Sequence, residues 1–191
     1  MNRRDKAAWA ACATLADVGE CVCGWITGTI EQTPGYSGGP HEETTEHARL
    51  LCAVNRAGLV TVQMDAEAWD GCCGYAAMAE GLITLGRLHK LASVSQRWGV
   101  QVGDLRRRDK RRVLGEWAGA VQDSALAEMQ RARLVRAWVP PYAEGSALWH
   151  ALRDFAHPHG GQRCRGCRVC RGSRALSPNA NLGGDSLTWR P

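Results

Sequence analysis

A small α/β fold is what this sequence predicts: a mixed or parallel sheet with flanking helices, a helical second half and an irregular C-terminal tail. Three observations lead there. A helix, a glycine and a strand follow one another between residues 43 and 64. A strand–helix–strand pattern from 75 to 102 is long enough for a right-handed parallel crossover. Beyond His157 the hydrophobic period disappears and Gly, Arg and polar residues take over. With 45% apolar residues in 191, the chain can bury a real core. One domain over 1–156 and a tail over 157–191 is the expected division.

In order, the basic start M-N-R-R-D-K is followed by too few apolar residues before Thr14 for a signal peptide. No apolar run approaches the ~20 residues that cross a bilayer. A cytoplasmic protein with no membrane partner is expected. Its nine cysteines then read as reduced thiols or metal ligands. Thr14 caps a first helix with Leu15, Val18, Val22, Trp25 and Ile26 on one stripe. Cys21 and Cys23, two apart, do not share a face of it and read as small apolar filler. Gly28 through Pro40 is a loop, with Tyr36 inside its P-G-Y-S-G-G-P centre.

Glu42 and Glu43 open a second helix, where negative charge suits the N-terminus, and His47, Leu50, Leu51 and Val54 form its apolar stripe. Gly58 ends it, and Leu59 to Val62 are β-formers in a row. A loop carrying Trp69, Cys72 and Cys73 leads to a strand over 75–83. Adjacent cysteines do not readily bridge each other, so free thiols are expected there. Thr84 caps a helix running to Trp98 and Gly99, and V-Q-V alternates like a strand. The rest reads as helices: one from Asp109 with Val113, Leu114, Trp117 and Val121; one from Asp123 with Leu126, Met129, Ala132 and Leu134; and one from Ser146 with Leu148, Trp149, Leu152 and Phe155.

Charge divides the chain. There are 8 basic and 12 acidic residues through Asp104, against 16 and 7 from Leu105 onward, so a polyanion would meet the second half. The densest run is Arg106, Arg107, Arg108, Lys110, Arg111 and Arg112. On a helix these track a phosphate backbone, although basic groups at a helix N-terminus oppose the dipole. In the tail, Cys164, Cys167 and Cys170 with His157 and His159 have the spacing and donor set of a tetrahedral zinc site. An iron–sulfur run would need a fourth cysteine, and position 174 is Arg.

None of the motifs G-x-S-x-G, G-x-x-x-x-G-K-[ST], H-E-x-x-H or G-x-G-x-x-G is present. Glu43 and His47, one helical turn apart, are the nearest approach to a carboxylate orienting an imidazole. Asn55, Arg56, Thr61 and Gln63 gather around the Gly58 turn and suit a small polar ligand.

The strings T-L-A-D-V-G-E (14–20), W-I-T-G-T-I (25–30), P-G-Y (34–36), E-E-T (42–44) and L-L-C-A-V-N-R-A-G-L-V-T (50–61) resemble an uncharacterised family of small actinobacterial and actinophage proteins. The likeness covers roughly residues 9 to 83, and the E-T…N-R-A-G-x-x-T spacing is its most specific part. Members continue with S-Q-P and Q-R-A segments, where this chain has Met64, Asp65, Ala66 and Gly74, Tyr75, Ala76. The resemblance implies an intracellular α/β protein of the kind a mobile element carries, and no mechanism.

The leading expectation is a non-catalytic module that binds a small ligand or a partner protein through Tyr36, Glu43, Thr44, His47, Asn55, Arg56, Thr61 and Gln63. A nucleic-acid-binding accessory protein, using the 106–112 run and an Arg-rich tail ordered by zinc, is the alternative. A small hydrolase-like enzyme comes third.

Overall fold

The computed structural model describes residues 1–65, 75–141 and 143–157, apart from the Glu43 side chain. Helix α1 (Arg3–Ala10) is opened by Asn2, whose side chain accepts from the Asp5 N–H at 2.8 Å. Helix α2 (Leu15–Ile26) begins with a full capping box: Thr14 accepts from the Asp17 N–H while the Asp17 carboxylate accepts from the Thr14 N–H. The single helix expected from residue 43 is two, α3 (Glu42–Glu46) and α4 (Ala48–Arg56). The chain breaks at His47, whose ring stacks on Trp149 with centroids 3.7 Å apart.

Gly58 then turns the chain at φ 99°, a left-handed conformation that costs a glycine little. It leads into β1 (Leu59–Asp65), followed in order by β2 (Ala77–Ile83), α5 (Leu85–Arg97), β3 (Gln101–Asp104), α6 (Arg107–Trp117), α7 (Asp123–Arg131), β4 (Arg133–Val139) and α8 (Ser146–Ala156).

The four strands form one sheet in the order β1-β2-β4-β3, and every neighbouring pair is antiparallel. This corrects the expectation of a mixed or parallel sheet. The reason is β4. Its Leu134 sits at helical spacing from Leu126, so the segment reads as the continuation of α7, but Ala132 is already extended at ψ 159°. From there R-L-V-R-A-W-V alternates as a strand. Strands β2 and β3 do run the same way, as the crossover predicts, yet β4 fills the space between them and pairs with both.

Helices cover both faces of the sheet. On one, Val60, Leu82 and Leu134 pack beneath α1, α2, α6 and α7, with Trp9 and Trp117 meeting edge to face at 5.0 Å. On the other, Leu59, Ala77, Ala79, Ile83, Val135, Ala137 and Val139 pack against α5 and α8. Successive strand residues point to opposite faces, so both faces of β2 are buried and its sequence has few polar positions. Among the described residues, no helix is long and apolar enough to cross a membrane.

Candidate functional site

On the α2/α6 face the helices cover Leu82 and Leu134, and the sheet positions toward Glu80 and Arg136 carry charge instead. The site is built there, and it starts from a β-bulge. Thr61 pairs with Gly81 and Gln63 with Glu80, so Val62 is an extra residue in β1. Such bulges re-aim side chains beside binding sites. Here Thr61, Val62, Gln63 and Met64 all line one cavity of about 440 Å³. Gly81 is required opposite the bulge: a Cβ there would come within 2.7 Å of the Val60 carbonyl oxygen. Asn55 holds the strand's start. It is 2% exposed, donates to the Leu51 carbonyl and to Thr61 Oγ1 at 2.9 Å each, and accepts from the Thr61 N–H at 3.0 Å.

The floor carries a buried ion pair. Glu80 is 6% exposed, and Arg136 Nε donates to its Oε1 at 2.8 Å. The remaining walls come from α2 (Val22, Trp25, Ile26), from α6 (Arg112, Val113, Glu116, Trp117) and from the loop after α2. That loop is tied at several points. The buried Asp5 carboxylate accepts from the Glu31 and Gln32 N–H groups, Trp9 Nε1 donates to the Gln32 carbonyl at 2.9 Å, and Trp25 Nε1 donates to the Gly38 carbonyl at 3.0 Å. Thr33 pairs with Tyr36 in an isolated bridge. Glu116 packs so close to Gly35 that a Cβ at that position would run into its carboxylate. Tyr36 meets Trp25 edge to face at 6.2 Å and lies tilted over His41 at 6.3 Å, giving the mouth an aromatic side.

The structure gathers half of the predicted ligand residues. Tyr36, Thr44, Thr61 and Gln63 line the cavity, and Asn55 supports it from behind. Arg56 is directed elsewhere, into a two-pronged contact with Glu20 at 2.7 and 2.9 Å. His47 is half-buried on Trp149, and burial lowers its pKa. Glu43 lies in α3 and His47 at the break between α3 and α4, and the Glu43 side chain lies outside what the structure describes. The residues that sequence reasoning missed are Glu80, Arg136 and Glu116. Glu80 did have a signal: it is the one acidic residue in the run A-A-M-A-E-G-L-I, and carboxylates are rarely buried without a partner.

The residues of the basic run have different surroundings. Lys110 Nζ caps the end of α7 through the Gln130 and Ala132 carbonyls, and burial lowers its pKa. Arg112 lines the cavity. Arg106, Arg107, Arg108 and Arg111 remain exposed around the start of α6, with Arg108 3.7 Å from Asp109. Of the predicted zinc ligands, His157 is buried at the end of α8, where its carbonyl accepts from Lys90 Nζ at 2.8 Å. His159, Cys164, Cys167 and Cys170 lie outside the described residues, as do Trp69, Cys72 and Cys73. No group of His, Cys, Asp and Glu suited to a metal ion occurs among the described residues.

Cys21 and Cys23, which cannot reach each other, each meet a cysteine from another segment. Cys12 and Cys21 place their sulfurs 3.4 Å apart, and Cys23 Sγ donates to the Cys52 carbonyl at 3.6 Å. The Cys21 sulfur and burial push the Cys12 thiol pKa up, whereas the Cys12 thiol lowers that of Cys21.

Comparison with known proteins adds one likeness. No curated protein matches the chain. Residues 4–85, which hold α1 to β2 and with them the bulge, the aromatic loop and Glu80 but not α6, match the family described as a domain of unknown function, DUF6919.

Proposed function

We propose that this protein is a small-ligand-binding module whose ligand occupies the cavity between α2, α6 and the bulge of β1. The observation that carries the reading is convergence on one buried charge. Thr44, Thr61 and Gln63, distant from the charged run in sequence, surround the opening above Glu80 together with Tyr36 and Trp25. A volume of about 440 Å³ lies within the range of small-molecule sites, and the lining mixes apolar and aromatic side chains with polar and charged ones. Among the described residues no hydrogen bond joins the lining hydroxyls of Thr33, Thr44 and Thr61 to the His41 imidazole as a nucleophile–base pair requires, so binding accounts for the arrangement better than hydrolysis.

The test is a fragment screen on the full chain by ligand-observed NMR, repeated on Thr44→Trp, whose larger side chain fills the opening. Fragments that bind the natural chain and are displaced by the filled variant are the expected result. A screen without hits, or hits indifferent to Thr44→Trp, overturns the proposal. A second reading rests on the exposed Arg106, Arg107, Arg108 and Arg111: contact with a nucleic-acid backbone. It requires retention on heparin that falls steeply with salt, and flat elution removes it.

A further inference from the structure

Glu80 is anomalous on its own strand. The flanking residues of β2 are apolar or glycine and all seven positions are buried, yet a carboxylate stands at the centre. Its partner satisfies it on one side only. Arg136 Nε and Nη2 both donate to Oε1, instead of spreading over the two oxygens as a fork–fork pair does. Among the described residues nothing donates to Oε2, although a carboxylate can accept about four hydrogen bonds. That oxygen is not sealed inside the protein, and Glu80 lines the cavity while Arg136 does not. The buried end of the cavity therefore presents an acceptor with spare capacity, and Arg136 behind it pairs with the other oxygen.

The rest of the cavity narrows what suits that acceptor. Trp25 and Tyr36 offer aromatic surfaces on one side. Glu116 adds a second carboxylate at the mouth, held over Gly35. Arg112 is the single lysine or arginine among the lining residues, and it lies on the exposed side of α6. An anion entering this space finds Arg112 on the exposed side but meets the Glu80 carboxylate, not a cation, at the buried end. A neutral amide gains hydrogen bonds to the carboxylate without the attraction between opposite charges. A flat cation with N–H donors gains charge-assisted bonds from Glu80 and cation–π attraction from the rings.

We infer that the cavity takes a small planar nitrogen cation, of the amidinium, guanidinium or protonated aminoheterocycle class, with its donor edge on Glu80 Oε2 and its flat face on one of the mutually perpendicular Trp25 and Tyr36 rings. The inference rests on the proposal that this cavity is a ligand site, and it goes further by fixing the ligand's charge and shape.

Three probes of nearly equal size and different charge test it: benzamidine, benzamide and benzoate, titrated against the full chain by ligand-observed NMR and tryptophan fluorescence. Benzamidine should bind at least tenfold tighter than benzamide, and benzoate weakest of the three. Glu80→Gln should bring benzamidine down to the level of benzamide, and Glu116→Gln, at an exposed position, should weaken it several-fold. If Glu80→Gln does not fold, the order of the probes on the natural chain still decides. Equal or stronger binding of benzamide or benzoate overturns the inference, as does benzamidine affinity unchanged in a folded Glu80→Gln. Binding by none of the three overturns it as well. Fragments that enter the natural chain but not Thr44→Trp would in that case leave the ligand site standing without this choice of ligand.

Discussion

Removing Arg136 without replacing its charge should destabilise the fold more than any exposed ion pair would. Glu80 is 6% exposed on a strand with neighbours on both sides, so in Arg136→Met its charge stays in a poorly solvated place without a counterion. Breaking a fully buried pair from one side costs about 3 to 5 kcal/mol. Here two features reduce that figure. The Arg136 side chain is 37% exposed, and Glu80 borders a cavity that water can enter. About 2 to 3 kcal/mol is therefore expected for Arg136→Met. Glu80→Gln should cost less, because an amide oxygen still accepts from Arg136. The double variant Glu80→Gln/Arg136→Met should recover part of the loss, since no charge is then stranded. Urea unfolding followed by tryptophan fluorescence gives all four stabilities and closes the cycle. A coupling near zero, or a loss below about 0.5 kcal/mol for Arg136→Met, would refute the idea that the arginine is there to offset a buried carboxylate.

Gly81→Ala should cost about 1 to 3 kcal/mol by forcing a methyl against the Val60 carbonyl and Leu59, each within 2.7 Å; an unchanged urea midpoint would contradict the bulge geometry. Asn55→Ala strands the Thr61 N–H and leaves the Leu51 carbonyl without its side-chain donor, so about 2 to 4 kcal/mol should be lost and the amide of Thr61 should exchange faster with solvent. Cys21, half-buried and with its pKa lowered by the Cys12 thiol, should be alkylated before the enclosed Cys12; peptide mapping that finds Cys12 modified first would reverse the proton assignment. On acidification, the cap on Asp17 and the Arg56 partner of Glu20 matter, because both carboxyls have folded pKa values below their ordinary 3.8 and 4.5. Their contribution is complete above the unfolded values and is lost as pH falls through the folded ones. Thr14→Val and Arg56→Met should thus show a smaller drop in melting temperature on going to low pH than the natural chain, and an equal drop would contradict both assignments.

Local rules carried the sequence reading where the local signal was complete. Thr14 with Asp17, and Gly58 after a periodic stretch, each announce a helix end by their own side chain or lack of one, and the structure has both. The reading failed where a local pattern was compatible with two outcomes. Leu126, Met129, Ala132 and Leu134 fit a helical stripe, and nothing within that window says that the chain will extend at Ala132. What decides is the vacancy between β2 and β3, which only tertiary pairing can reveal. Misreading β4 made the sheet parallel on paper, because without it the two parallel strands would have to be neighbours.

The site was legible to the same degree and for the same reason. The turn and strand at 55–63 carry their polar residues within a few positions, so Thr61, Gln63 and the supporting Asn55 were accessible to pattern reading. Glu80 and Arg136 are 56 residues apart and become partners only through the register of β2 on β4. Since β4 was missing from the sequence reading, so was the charge at the cavity floor. Helix α6 shows the complementary effect. Its basic residues read as one track when seen as a string, but two of them have further neighbours in the fold: Lys110 closes a neighbouring helix and Arg112 lines the cavity, with Glu116 one turn later close to Gly35. The family-like span of residues 4–85 holds Glu80, the aromatic side and the bulge, while Arg136 on β4 and the wall from α6 lie outside it. Substitutions at Arg112 and Glu116 should consequently change which ligand is admitted while leaving the Glu80–Arg136 pair beneath them intact, a separation that the probe series reads directly in the two glutamate variants.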